Sequence, residues 1–142
     1  MIKPNDLILR STTSLITFIL LGFSIYLLFA GHNSPGGGFV GGLTTSAAFL
    51  LMYISFGQKT VDKILSIDFI KLVPLGLMIA LLTGIGSFLF NKPFLTQTFG
   101  HVSLPIVGEF ELATAMIFDV GVFLTVLGTT MTIILTISND QK

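Results

Sequence analysis

The 142-residue chain has no cysteine, no tryptophan, only two histidines and few charges of either sign. Without cysteine there is no disulfide framework and no thiolate metal site. His32 and His101 stand far apart in the sequence and form no ligand pattern, so neither a metal nor a cofactor is expected. Charged residues make up 10% of the chain, against roughly 25% in an average soluble domain. With 52% hydrophobic residues and a mean hydropathy of +0.94, the chain lacks the polar surface to coat a water-soluble globule and reads as a membrane protein. Seven Lys and Arg balance seven Asp and Glu. That balance excludes the basic footprint needed to neutralise nucleic-acid phosphates.

Several enzyme classes fall away on chemistry. The glycines near position 37 are not followed by Gly-Lys-Ser/Thr, so the lysine and hydroxyl of a phosphate-binding loop are missing. No nucleophile elbow and no paired-carboxylate signature is present. An enzyme is not expected.

What the chain does contain is long apolar runs. About 20 such residues cross the hydrocarbon as a helix, and four stretches qualify: 11–30, 35–56, 72–90 and 112–137. The expectation is an all-α integral membrane protein, a single membrane domain over 1–142 with four transmembrane helices. The first run follows Lys3 and Arg10 as a signal peptide does, yet it exceeds the usual ~7 to 15 apolar residues and lacks a convincing cleavage site, so it reads as a permanent span. Pro4, Asn5 and Asp6 suit a helix start ahead of it. Lys3, Arg10, Lys59, Lys63, Lys71 and Lys142 fall on one side and only Lys92 on the other. The positive-inside bias then places both termini in the cytoplasm and the first connection outside. Between the second and third spans, Val61, Ile64, Leu65, Ile67 and Ile70 have roughly helical spacing among charges, which predicts a short interfacial helix.

Gly31-His32-Asn33-Ser34-Pro35-Gly36-Gly37-Gly38-Phe39-Val40-Gly41-Gly42 is a polar, glycine-dense hinge between two apolar runs. Ser34 and Pro35 make a good helix opening. Asn33 and Ser34 carry oxygens that suit either a cap or a cation, and His32 is of the one residue type whose unperturbed pKa lies near neutrality, which suits either a wet interfacial residue or a proton relay. Gly38, Gly42 and Ser46 recur every four residues, as do Gly37, Gly41 and Thr45, and Gly76, Ala80 and Gly84 repeat the pattern in the third span. Such stripes let helices approach closely in lipid. At 100° per residue, the last span has Gly121, Thr125, Gly128, Thr129, Thr132 and Thr136 on one side and Asp119 roughly opposite, with Phe123, Val126, Thr130 and Ile133. Asp119 is the one carboxylate placed to enter the bilayer, where an acid is costly. Three roles stay open for it: a place at the outer interface, a polar contact to another helix, or ion handling. His101, in the long connection before the last span, reads as solvated or at an interface.

The string from His32 to Leu43, with Ile117-Phe118-Asp119-Val120-Gly121-Val122 and the four-span layout, resembles the B subunit of the bacterial multisubunit Mrp-type sodium/proton antiporter, the MnhB-like family. The resemblance runs along essentially the whole chain. It implies a multi-pass subunit of the bacterial plasma membrane, with other antiporter subunits and lipid as partners. Sodium ion and proton are then the species moved by the whole complex. It further implies that proton pumping resides in the large subunits, which leaves assembly, and lining of an ion route, to this one. His32, Asn33, Ser34, Pro35, Gly36, Gly37, Gly38, Phe39 and Asp119 are the residues to examine. A homo-oligomeric transporter or channel, and a membrane scaffold with no ion role, are the alternative readings.

Overall fold

The computed structural model describes residues 4–31, 36–89 and 107–140. Five helices are present among them: α1 (Pro4–Ala30), α2 (Gly37–Phe56), α3 (Gln58–Leu65), α4 (Phe69–Leu89) and α5 (Val107–Asp140). The fold is all-α, and α1, α2, α4 and α5 are each long and apolar enough to cross a membrane. α1 extends to Pro4, ahead of its apolar run, because proline fits a first helical turn and Asp6 there complements the helix dipole. α3 supplies the short helix expected between the second and third spans; its Val61 is fully buried while Lys59, Asp62 and Lys63 are exposed.

The long helices stand in a row, α1 on α2, α2 on α5, α5 on α4, with α1 and α5 touching slightly. Among the described residues α1 and α4 make no contact, and the backbones of α2 and α4 stay apart while the rings of Phe49 and Phe69 bridge them at 6.1 Å. Around that bridge Leu127 and Met131 complete the small apolar core.

Apolar side chains gain nothing by leaving lipid for one another, so the row depends on close packing of small residues. Each stripe serves one seam. Gly37, Gly41 and Thr45 face α1: a Cβ on Gly41 would stand 3.1 Å from the Ser24 carbonyl oxygen, and the Thr45 hydroxyl donates to Ser24 Oγ at 2.9 Å in a buried bond. Gly42 faces α5, where a Cβ would lie 3.0 Å from the Phe123 carbonyl oxygen, and Ser46 is buried on the same helix with its hydroxyl on the Gly42 carbonyl at 2.8 Å. Gly76 and Ala80 face Gly121: a Cβ on Gly121 would meet the Ala80 nitrogen and the Gly76 carbonyl oxygen, both at 2.8 Å. Gly84, two turns along α4 from Gly76, is also buried.

The α4–α5 register leaves a step. Gly128 abuts the Phe69 carbonyl oxygen at the start of α4, and α5 continues to Asp140 past the end of the α4 backbone, by roughly 18 Å at the rise of an α-helix, with Met131 and Leu135 still packed around the Phe69 side chain.

A leucine at Gly121 meets backbone on two sides, whereas Gly86 has nothing within 4 Å. Gly121→Leu is expected to lose about 1–3 kcal/mol or more to overpacking and to collapse the yield of monodisperse protein in mild detergent. Gly86→Leu retains the parental yield. Size-exclusion profiles of the two variants, purified side by side, check this.

Candidate functional site

The hinge brings together three helix segments. α1 ends at Ala30, with the Gly31 amide still bonded to the Leu27 carbonyl at 3.1 Å. α2 opens at Gly37, capped by Gly36 in the left-handed region (φ 100°, ψ 7°), with no side-chain cap bond and the Gly36 carbonyl accepting from the Val40 amide at 3.0 Å. Glycine is required there because an L side chain rarely adopts that φ. Between the two ends the chains nearly touch: a Cβ on Gly31 would lie 2.7 Å from the Gly37 Cα, and one on Gly37 would lie 2.5 Å from the Gly31 Cα.

Asp119 of α5 closes the third side. A Cβ on Gly38 would collide with the Asp119 carbonyl oxygen, and the Asp119 Cα would be only 3.2 Å away. The Asp119 carboxylate turns toward Gly31, its Oδ2 lying 3.3 Å from where a Cβ on that glycine would be. The acid is half-buried and held beside the first turn of α2, whose amides have no carbonyl partners within their own helix. A negative charge is favoured at such a helix start. Asp119 is level with the ends of α1 and α2 but roughly three turns inside the start of its own helix.

The sequence-derived site residues therefore divide. Gly37, Gly38 and Asp119 come together, with Gly31 added. Gly36 supplies the cap, and Phe39 is exposed at 51%, away from the seam. His32, Asn33, Ser34 and Pro35 lie outside the described residues, as does His101. α5 is two-sided: Asp119, Phe123 and Val126 meet α2, and Gly121, Thr125 and Gly128 meet α4. Among the described residues no three of His, Asp and Glu gather as metal ligands do.

Ser24 of α1 belongs to the α1–α2 seam through its bond with Thr45, and two further polar residues of α1 are buried with it. Thr13, Thr17 and Ser24 are buried, Ser24 to 1% exposure. Their signal is spacing, since Thr17, Ser24 and Gly31 recur every seven residues along an otherwise bulky helix.

Comparisons with known proteins agree along the chain. A family model described as "Domain related to MnhB subunit of Na+/H+ antiporter" matches residues 8–132. The B subunit of a Na(+)/H(+) antiporter from Bacillus subtilis is 55% identical over 139 residues, which cover 98% of this chain and 97% of that one. Its counterpart from Alkalihalophilus pseudofirmus, likewise the B subunit of a Na(+)/H(+) antiporter, is 51% identical over 140 residues, covering 99% and 97%.

Gly31→Ala and Gly38→Ala each force a Cβ into backbone and are expected to destabilise the fold by about 1–3 kcal/mol. Gly22→Ala, with nothing within 4 Å, serves as the neutral control. Thermal-shift midpoints in detergent, lower for the first two variants and unchanged for the third, read this out.

Proposed function

The chain belongs to the MnhB family of Na+/H+ antiporter subunits, and on that premise we propose that its hinge and Asp119 fix the shape on which the antiporter complex assembles and place one charge beside the route of the transported ions. The complex sits in the bacterial plasma membrane and exchanges sodium ions for protons. Other antiporter subunits supply the pump, and this chain supplies a packed, multi-pass surface for them.

The supporting observation is the Asp119 carboxylate against Gly31 at the joint of α1, α2 and α5. One acid cannot relay protons across a bilayer, because a relay needs a series of titratable groups linked through the protein. A single fixed carboxylate can bias cations toward its neighbourhood. Glycine packing explains why the joint is compact, and a helix start explains why an anion is tolerated there.

Vesicles holding this chain alone are expected to show no sodium-dependent proton flux, and the complex lacking it no exchange. Asp119→Asn keeps the shape and removes the charge: the complex is expected to assemble, with exchange reduced several-fold. Wild-type exchange by an assembled Asp119→Asn complex removes the carboxylate's charge from the ion route. Robust exchange by the isolated chain replaces the whole reading with an autonomous transporter.

A further inference from the structure

At the end of the molecule opposite the hinge, α3 folds back along α2. Gly57 alone separates the two helices, and its positive φ of 81° makes the reversal. Asp62 then accepts the Tyr53 hydroxyl at 2.8 Å, and Leu65 packs on the core that holds Phe49. Successive residues of α3 thus lie beside earlier and earlier residues of α2, so α3 climbs from the end of that span toward the bilayer interior. Among the described residues its backbone neighbours α2 and no other helix, which sets it on a broad side of the row.

The two faces of α3 differ sharply. Val61 is fully buried against the protein. Lys59 and Lys63, two residues before and after it, are each about 160° around the helix from it and exposed. Asp62 is turned to α2 by its bond with Tyr53. Further along the chain, Ile64, Ile67 and Ile70 are exposed at 64%, 40% and 67%. α1 adds a third cation at the same end: the Arg10 guanidinium stands 6.0 Å from the centroid of the Phe56 ring, and Phe56 is the last residue of α2. That contact uses the face of the ring and leaves the guanidinium donors available to an anion.

Among the described residues the exposed Asp68–Lys71 pair, at 2.7 Å, is the one salt bridge, so Arg10, Lys59 and Lys63 have no carboxylate partner. Three cations therefore stand at the end of a membrane span, where headgroups lie, and exposed isoleucines follow them toward the hydrocarbon. A phospholipid has the same order of chemistry along its length, an anionic phosphate and then an acyl chain. A soluble acidic partner would meet the cations but not the isoleucines. Basic residues at this depth attract anionic lipid, and long basic side chains keep their charge at headgroup level while their stems lie on apolar surface.

We propose that Arg10, Lys59 and Lys63 hold the headgroup of an anionic phospholipid of the cytoplasmic leaflet, with an acyl chain lying over Ile64 and Ile67. The site follows from the membrane-spanning fold and does not rest on the antiporter reading.

The absence of cysteine from the chain allows a single label. Ile64→Cys carries a fluorophore in the complete complex, any cysteine of the other chains having been replaced, in phosphatidylcholine vesicles. Phosphatidylglycerol and phosphatidylcholine bearing a nitroxide at the same acyl carbon are added in turn. Half-quenching is expected at a several-fold lower mole fraction of the phosphatidylglycerol. Arg10→Gln, Lys59→Gln and Lys63→Gln together are expected to remove that difference. Asp68→Asn with Lys71→Gln, which removes the salt bridge at constant net charge, retains it. A label at Phe18→Cys, an exposed residue of α1 away from the three cations, responds equally to both lipids. Should Ile64→Cys prevent assembly, Ile67→Cys carries the same comparison. Equal quenching by the two lipids overturns the proposal, as does a preference that survives loss of the three cations. So does quenching by neither, the result that a neighbouring subunit seated on this strip would give. Quenching involves no transport, so each of these outcomes leaves the antiporter reading standing, and a failure of exchange leaves the lipid result standing.

Discussion

The whole arrangement depends on backbone meeting backbone at positions that have no side chain. In water, four apolar helices associate because water rejects them; in lipid that drive is gone, and what remains is contact at short range. Gly31 with Gly37, Gly38 with Asp119, and Gly76 with Gly121 are where that contact is made. Small residues are therefore the adhesive of this fold, and the many exposed large ones, such as Phe18, Phe23 and Leu82, form the apolar exterior it turns to lipid and to neighbouring subunits.

α5 is the element to which the others refer. It receives α2 on one side and α4 on the other, and each side has the side chains its neighbour requires. Thr125 shows how a polar residue is made tolerable there: its hydroxyl donates to the Gly121 carbonyl at 2.8 Å, within the same helix, so no donor is left unpaired in the α4–α5 seam. Asp119 cannot be satisfied so simply. Its position beside a helix start, at a joint formed by glycines, is the local solution that this architecture offers an anion.

Much of this was legible in the residues alone. The lengths of the apolar runs located the four spans, and the spacing of Val61, Ile64 and Leu65 located α3, whereas Ile67 and Ile70, read on the same short helix, lie past its end and in α4. The stripe of Gly76, Ala80 and Gly84 marked a packing side of α4. What the residues did not disclose was which helix each stripe meets. Gly37 and Gly38 are adjacent in sequence yet serve different neighbours, α1 and α5, because successive residues point about 100° apart around a helix. The approach of Asp119 to Gly31 depends on the register between helices distant in sequence, which no local pattern encodes. The late start of α4 against α5 was hidden for the same reason. Apolar composition all around each span also blurs the distinction between inner and outer sides that amphipathic helices show in soluble proteins.

The row of helices also limits what one copy can enclose. A plank has two broad sides and two rims but no interior, and α1 and α4, at the rims, do not close on each other among the described residues. A conduit through the bilayer needs an opposite bank. Any continuous aqueous passage running along this chain must take its second bank from another polypeptide, so permeation would belong to the junction between chains rather than to this one.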